Sequence, residues 1–151
     1  NEVVFKNASV EANNVTTADA SNSETRGWYG LYKKIKTFTA DSDKVVSSMI
    51  WGSQYDAMMN WMAKNGKTVG DSNSSIYNNT TTTGNKSTDV VNNVYDLYGC
   101  HFEWTLEAYI TSERAYRGAI YYDSVPPAYR RNNIPDLTYS YYSSRATLYV
   151  K

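Results

Sequence analysis

The sequence predicts an α+β domain, on three observations. Two stretches in the first half carry apolar residues at helical spacing, several segments of the last third alternate with period two, and no internal repeat links them. Helices first and strands afterwards argue against a doubly wound parallel sheet. The expected architecture is two N-terminal helices followed by a C-terminal antiparallel sheet with long irregular loops. The chain has 151 residues, a length that suits one domain with a single core.

The elements follow in order. Residues 1–26 are polar and weakly patterned apart from Val3-Val4-Phe5, which reads as one short strand. Trp28, Leu31, Tyr32 and Ile35 stand at i, i+3, i+4 and i+7, the stripe of an amphipathic helix. Lys33, Lys34 and Lys36 fall off that stripe, on a solvated face near the C-terminus, where positive charge suits the helix dipole. A second helix is expected from a Ser53 cap, with Asp56 three residues on. Its buried stripe is expected to be Ala57, Met58, Trp61 and Met62, and Asn65-Gly66 stops it. Methionines at helical spacing belong to a core rather than to a cofactor box.

Residues 66–93 are rich in Gly, Ser, Asn and Thr and read as a surface loop. Triplets such as Asn79-Thr80-Thr81 are expected by chance in so Asn- and Thr-rich a chain. Phe102, Trp104, Leu106 and Ala108 alternate with Glu103, Thr105, Glu107 and Tyr109, as in a half-buried strand. Arg114 to Tyr122 reads as a further strand, with Gly118 marking a bulge or a close backbone approach, and Ala146, Leu148 and Val150 alternate with Thr147 and Tyr149 to give a terminal strand. Between them, Pro126-Pro127, Asn132-Asn133 and Pro135-Asp136 break regular structure from Asp123 to Ser144. Trp28, Trp51, Trp61 and Trp104 are expected to carry the core.

Composition excludes several functions. Fifteen Lys+Arg balance fifteen Asp+Glu, so the surplus cation that holds a protein on nucleic acid is missing. Tyr129-Arg130-Arg131 could stack on a single strand, but Asp123 and Asp136 flank it. One cysteine leaves no intramolecular disulfide and no multi-thiolate zinc site. No apolar run approaches the roughly 20 residues that span a bilayer, so no membrane insertion is expected. The chain begins at Asn1 without a signal-peptide pattern, as expected of a processed form or a piece of a longer protein.

Catalytic groups are few. Cys100 and His101 are neighbours, so on a strand they point to opposite faces, a poor geometry for a nucleophile and its base. Glu103 and Glu107 on one strand face would lie roughly 13 Å apart, too wide for either glycosidase arrangement. No nucleophile elbow surrounds Ser124, Ser143 or Ser144, and no phosphate-cradling glycine loop is present. No enzyme activity and no cofactor are expected.

Tyrosine is the unusual count: fifteen in the chain, six of them between Tyr121 and Tyr142, a stretch that also holds all three prolines. Tyrosine offers a large rigid surface and a hydroxyl at low entropic cost, which is why binding loops use it. Together with Ile120, Ile134 and Leu137, read as exposed, the cluster would form an apolar patch with a polar rim, the mark of a binding surface.

Asn93-Val94-Tyr95-Asp96-Leu97-Tyr98-Gly99-Cys100-His101-Phe102-Glu103-Trp104-Thr105 resembles the signature of the formylglycine-generating-enzyme-like branch of the C-type lectin fold. Arg117-Gly118, Arg130, Ser144-Arg145 and the closing Ala146-Thr147-Leu148-Tyr149-Val150 follow in the same order. Upstream, Ser48 to Ala57 resembles the helix-opening segment of phage and bacterial members. The resemblance covers residues 27–151 and leaves residues 1–26 poorly matched. The sulfatase-activating enzymes of that branch use a cysteine pair in the region that here runs from Ala119 to Tyr129, which has no cysteine.

The combination is similar to the variable proteins of diversity-generating retroelements, including phage tropism determinants, in which adenine-directed mutagenesis rewrites a C-terminal stretch. That resemblance implies a C-type-lectin-fold binding domain with a variable region of about residues 100–145. The implied ligand-binding residues, all reachable from AAC-type codons, are Cys100, His101, Ile110, Ile120, Tyr121, Tyr122, Asp123, Val125, Tyr129, Arg131, Ile134, Leu137, Tyr139, Tyr141 and Tyr142. Glu103-Trp104-Thr105, Arg117-Gly118 and Ser144-Arg145 are the implied fixed framework. The implied partner is a protein or glycan on a target cell, met from a phage tail or a bacterial surface, with a homo-oligomer possible. Calcium occurs in the fold, but no carboxylate cluster here marks a site. The alternatives are an enzyme of the formylglycine-generating type built on Cys100 and His101, and an undiversified tail or adhesin domain.

Overall fold

The computed structural model describes residues 27–65, 90–91, 93–97, 99, 101–120, 125–139 and 141–151, and within them the class is α+β. The expected strand at Val3-Val4-Phe5 and most of the expected loop over 66–93 lie outside the described residues. Helix α1 (Gly27–Lys36) follows its predicted stripe: Trp28, Leu31 and Ile35 are buried, and Lys33, Lys34 and Lys36 face solvent. A 3-10 turn (Thr37–Thr39) leads to strand β1 (Val45–Met49), which periodicity missed. Its serine interior hid it: buried Ser47 donates its hydroxyl to the Ile35 carbonyl oxygen at 2.6 Å, so a polar residue is satisfied inside the core.

Helix α2 (Gly52–Lys64) starts one residue before the expected Ser53. Trp51 holds the cap position, its backbone N–H donating to the Gln54 side-chain oxygen at 3.0 Å. The buried face is Tyr55, Met59 and Met62, a stripe at i, i+4 and i+7. The expected phase was therefore rotated: Ala57 is exposed, and Trp51 and Trp61 each keep 50% of their surface in solvent rather than joining the core.

After the short hairpin β2 (Val90–Val91) and β3 (Val94–Tyr95) come β4 (Phe102–Ile110), β5 (Glu113–Arg117), β6 (Arg130–Asn133), β7 (Tyr142–Ser144) and β8 (Ala146–Val150). In the hairpin turn Asn93 takes a φ of 64°, a left-handed conformation that Asn tolerates. Strands β1 and β8 form an antiparallel pair, Val45 opposite Val150 and Met49 opposite Ala146. The larger sheet has the order β6-β5-β4-β7. It is not wholly antiparallel: β7 joins β4 in parallel, Phe102 opposite Tyr142 and Trp104 opposite Ser144. The Ser144 hydroxyl donates to the Trp104 carbonyl oxygen at 2.8 Å, reinforcing that three-residue ladder. Strand β6 arises inside the segment expected to be irregular, held by pairing with β5 from Arg114–Asn133 to Arg117–Arg130. The expected strand from Arg114 to Tyr122 ends at Arg117, where Gly118 turns the chain with φ +82°.

Two clusters form the interior. In the main one, Phe102, Trp104, Tyr116 and Tyr142 of the larger sheet pack with α1 residues Trp28, Leu31 and Ile35. In the second, Ile50 and Leu97 pack with α2 residues Tyr55, Met59 and Met62.

Candidate functional site

The segments expected to be fixed form a bonded frame. Glu103, 5% exposed, receives two charge-assisted hydrogen bonds from Arg145, one of them from Nε at 2.9 Å. Arg145 also donates to the Tyr95 carbonyl oxygen at 3.0 Å. Burial lowers the Arg145 pKa, yet the Glu103 carboxylate outweighs it and holds the guanidinium above its ordinary value. The Thr105 hydroxyl donates to the Ala115 carbonyl oxygen at 3.0 Å, and its own carbonyl oxygen accepts the Trp28 indole N–H at 2.6 Å. Arg117 pairs with Asp56 and lies over the Tyr55 ring at 5.2 Å. Its pKa is lowered chiefly by burial, with Tyr55 opposing and the nearby Arg130 adding to the fall. These contacts tie the sheet to α1 and α2, β4 to β5, and the β7–β8 junction at Arg145 to β3 and β4.

The aromatic residues step outward from that frame as one continuous set. Trp104 stacks on Tyr142 at 4.8 Å, Tyr142 meets Tyr141 at 5.1 Å, and Tyr141 stacks on Tyr139 at 4.9 Å with planes 14° apart. Tyr139 ends the series 44% exposed. At the sheet edge, Arg131 lies 4.5 Å over the Tyr129 ring and donates Nε to its hydroxyl oxygen at 2.6 Å. Arg130 lies over Tyr109 and donates Nε to Glu107 at 2.8 Å. Ile110 and Ile134 are exposed at 51% and 45%.

The expected site residues therefore divide. Ile110, Arg131, Ile134 and Tyr139 are exposed, and Tyr129 is half-buried at the surface. Val125, Leu137 and Tyr141 are half-buried and pack against the main core from outside, so Leu137 is not the exposed residue it was expected to be. Ile120, Tyr142 and His101 are corrections. Ile120 is 3% exposed and belongs to the main core, because the turn at Gly118 directs it inward. Tyr142 is 2% exposed, drawn under the sheet by its pairing with Phe102. His101 is 3% exposed just before β4, so it is buried rather than displayed as a ligand-binding residue. Cys100, Tyr121, Tyr122 and Asp123 lie outside the described residues.

Sequence reasoning missed Tyr109 and Arg130 as surface partners and Asn133 as the residue whose side-chain N–H donates to the Tyr142 hydroxyl at 3.4 Å. The adjacent Asn132-Asn133 pair was legible only as turn composition. Among the described residues no group of three or more His, Cys, Asp or Glu side chains could hold a metal ion, and no helix is long and apolar enough to cross a membrane. No protein-family profile matches the chain, and no curated protein is similar to it.

Proposed function

We propose that the chain is a non-enzymatic binding module of the C-type lectin fold, a variable protein of a diversity-generating retroelement. It recognises a protein or glycan on a target cell, from a phage tail or a bacterial surface. The observation that carries the reading is the separation of frame from display. Glu103 is bonded to Arg145 and Trp104 to Ser144, while Thr105 is bonded to Ala115 of β5 and Arg117 to Asp56 of α2. Ile110, Arg131, Ile134 and Tyr139 project from the same scaffold into solvent, and their replacement removes no frame contact. A surface that is rewritten from generation to generation needs that separation. Rigid aromatic anchors on a preorganised sheet supply contact area at low ordering cost.

The decisive experiment is the nucleotide sequence around the gene. The expected finding is an imperfect repeat of the last coding segment, differing from it at adenines alone, beside a reverse transcriptase gene. A locus without that repeat removes the retroelement reading. The thiol-dependent rival has its own test: a Cys100→Ser protein that retains full activity in a thiol-enzyme assay excludes it.

A further inference from the structure

A strand edge with unpaired backbone groups invites another strand, and the edges of this fold are unequally protected. Strand β6, at one edge of the larger sheet, carries Arg130 and Arg131, and β7 at the other edge is only three residues long. The outer edge of β1 is closed from within the chain. Val45 donates its backbone N–H to the Ser42 hydroxyl oxygen at 3.1 Å, and Ser47 donates to that of Thr39 at 2.7 Å. Strand β8 has no such device. It runs for five residues in unbroken register with β1 and contains no proline and no charge. Among the described residues no strand pairs with its other edge.

The register fixes where its backbone groups point. Ile50 donates its N–H to the Arg145 carbonyl oxygen at 2.9 Å and Lys151 donates to that of Lys44 at 2.9 Å, so the odd-numbered residues of β8 bond β1. Ala146, Leu148 and Val150 therefore aim their N–H and C=O groups at the open edge. Their side chains share a face with their β1 partners Met49, Ser47 and Val45. On that face Ser47 and Met49 are buried, Met49 in the core it shares with α1, whereas Leu148 keeps 46% of its surface in solvent and Val150 87%.

The open edge is complementary to itself. Two β8 strands paired antiparallel about a two-fold axis at Leu148 set Leu148 against Leu148 and Ala146 against Val150. Those are the residues whose backbone groups face outward, so each pair exchanges two hydrogen bonds. The axis stands normal to the sheet, which leaves both α1 helices on one face with the six apolar side chains between them. On the other face Thr147 meets Tyr149, a favourable β-branched and aromatic pair. Lys151 falls opposite Arg145, whose charge Glu103 already balances.

We infer that the chain forms a two-fold dimer through β8, joining two β1–β8 pairs into one four-stranded sheet of order β1-β8-β8-β1. The ladder is short, so the dimer is expected to be weak and to dissociate in the micromolar range, as small interfaces do. Two copies carry two display surfaces, which raises avidity for a target that is repeated on a cell. The dimer itself does not depend on what the display residues bind.

Sedimentation equilibrium of the full chain from roughly 1 to 500 μM tests it, and the expected result is a monomer–dimer equilibrium within that range. Position 148 meets itself across the axis, so Leu148→Lys and Leu148→Glu each oppose like charges and should stay monomeric. An equimolar mixture of the two sets Lys against Glu and should associate roughly tenfold more tightly than either variant alone. Melting temperatures taken at the lowest concentration check that both variants are folded. A native chain that stays monomeric throughout overturns the inference, and hydrogen exchange of the Leu148 amide then says why. Protection assigns the edge to a segment of the same chain, and free exchange leaves it to a different protein. A dimer that either variant leaves intact, or a mixture no tighter than its components, also overturns it. None of these results bears on the adenine-restricted repeat, so failure here is distinguishable from failure of the module reading.

Discussion

Two tyrosines three positions apart have opposite roles. Tyr139 ends the aromatic series in solvent, whereas Tyr142 is 2% exposed and touches Phe102, Trp104 and Tyr116. Replacing Tyr142 by Ala is expected to cost about 3–5 kcal/mol, the range for a large aromatic removed from a core. Tyr139→Ala should stay within about 0.5 kcal/mol, as surface changes do. Urea denaturation of the two variants measures both. The Tyr142 hydroxyl adds a pH dependence. Burial pushes its phenol well above the ordinary value, with Asn133 opposing and Tyr116 adding to the rise. The unfolded chain then releases this proton first, near pH 10. Stability from this group is fully present below that pH and is lost as pH rises beyond it. Denaturation midpoints across pH 9–11 should fall for the native chain, and the Tyr142→Phe protein should show a shallower fall.

At the scale of elements, α1 is the part that fixes the display loop. Gly27 takes φ +55°, and a Cβ there would come within 2.5 Å of the Pro135 carbonyl oxygen and 2.7 Å of that of Leu137. The next residue, Trp28, donates its backbone N–H to the Pro135 carbonyl oxygen at 2.8 Å. Gly27→Ala should therefore cost at least about 1–2 kcal/mol for the left-handed backbone and push the 135–137 turn off the helix. Proteolysis of that turn should quicken in the variant while the far-UV spectrum is retained. Helix α1 was legible in the sequence because its stripe faces a core on one side only. Helix α2 was legible in extent but not in phase. Trp51 and Trp61 are the most apolar-looking residues of their segment, and the face that meets the sheet is set instead by Tyr55, Met59 and Met62. Strand β6 carried no signal, since Arg-Arg-Asn-Asn has no apolar alternation and becomes a strand only through its register with β5. Strand β7 is three residues long and pairs with a segment about forty positions earlier, a contact that no local window contains. The candidate site was legible as a region and not residue by residue. Composition distinguished the tyrosine-rich segment, but which rings face inward depends on pairings that composition does not encode.

For the whole molecule, the consequence of frame and display lying on different residues is unequal tolerance to change. Glu103 and Arg145 keep 6% and 11% of their side-chain surface exposed. Removing one charge of such a pair leaves the other buried without its partner, which costs about 3–5 kcal/mol. For a chain of this size about 1 kcal/mol corresponds to roughly 2–4 °C in melting temperature, so Glu103→Gln should lower it by roughly 6–20 °C. By contrast, Ile110, Ile134 and Tyr139 are exposed and touch no frame residue through a hydrogen bond of their side chains. Changing all three at once, to Ser, Asn and Ser, should sum to no more than about 1.5 kcal/mol, since distant surface changes add. The triple variant should melt within a few degrees of the parent while the single Glu103→Gln protein does not. Calorimetric scans of the two proteins side by side decide it: if the triple variant falls as far as Glu103→Gln, the display residues belong to the fold and could not be rewritten freely.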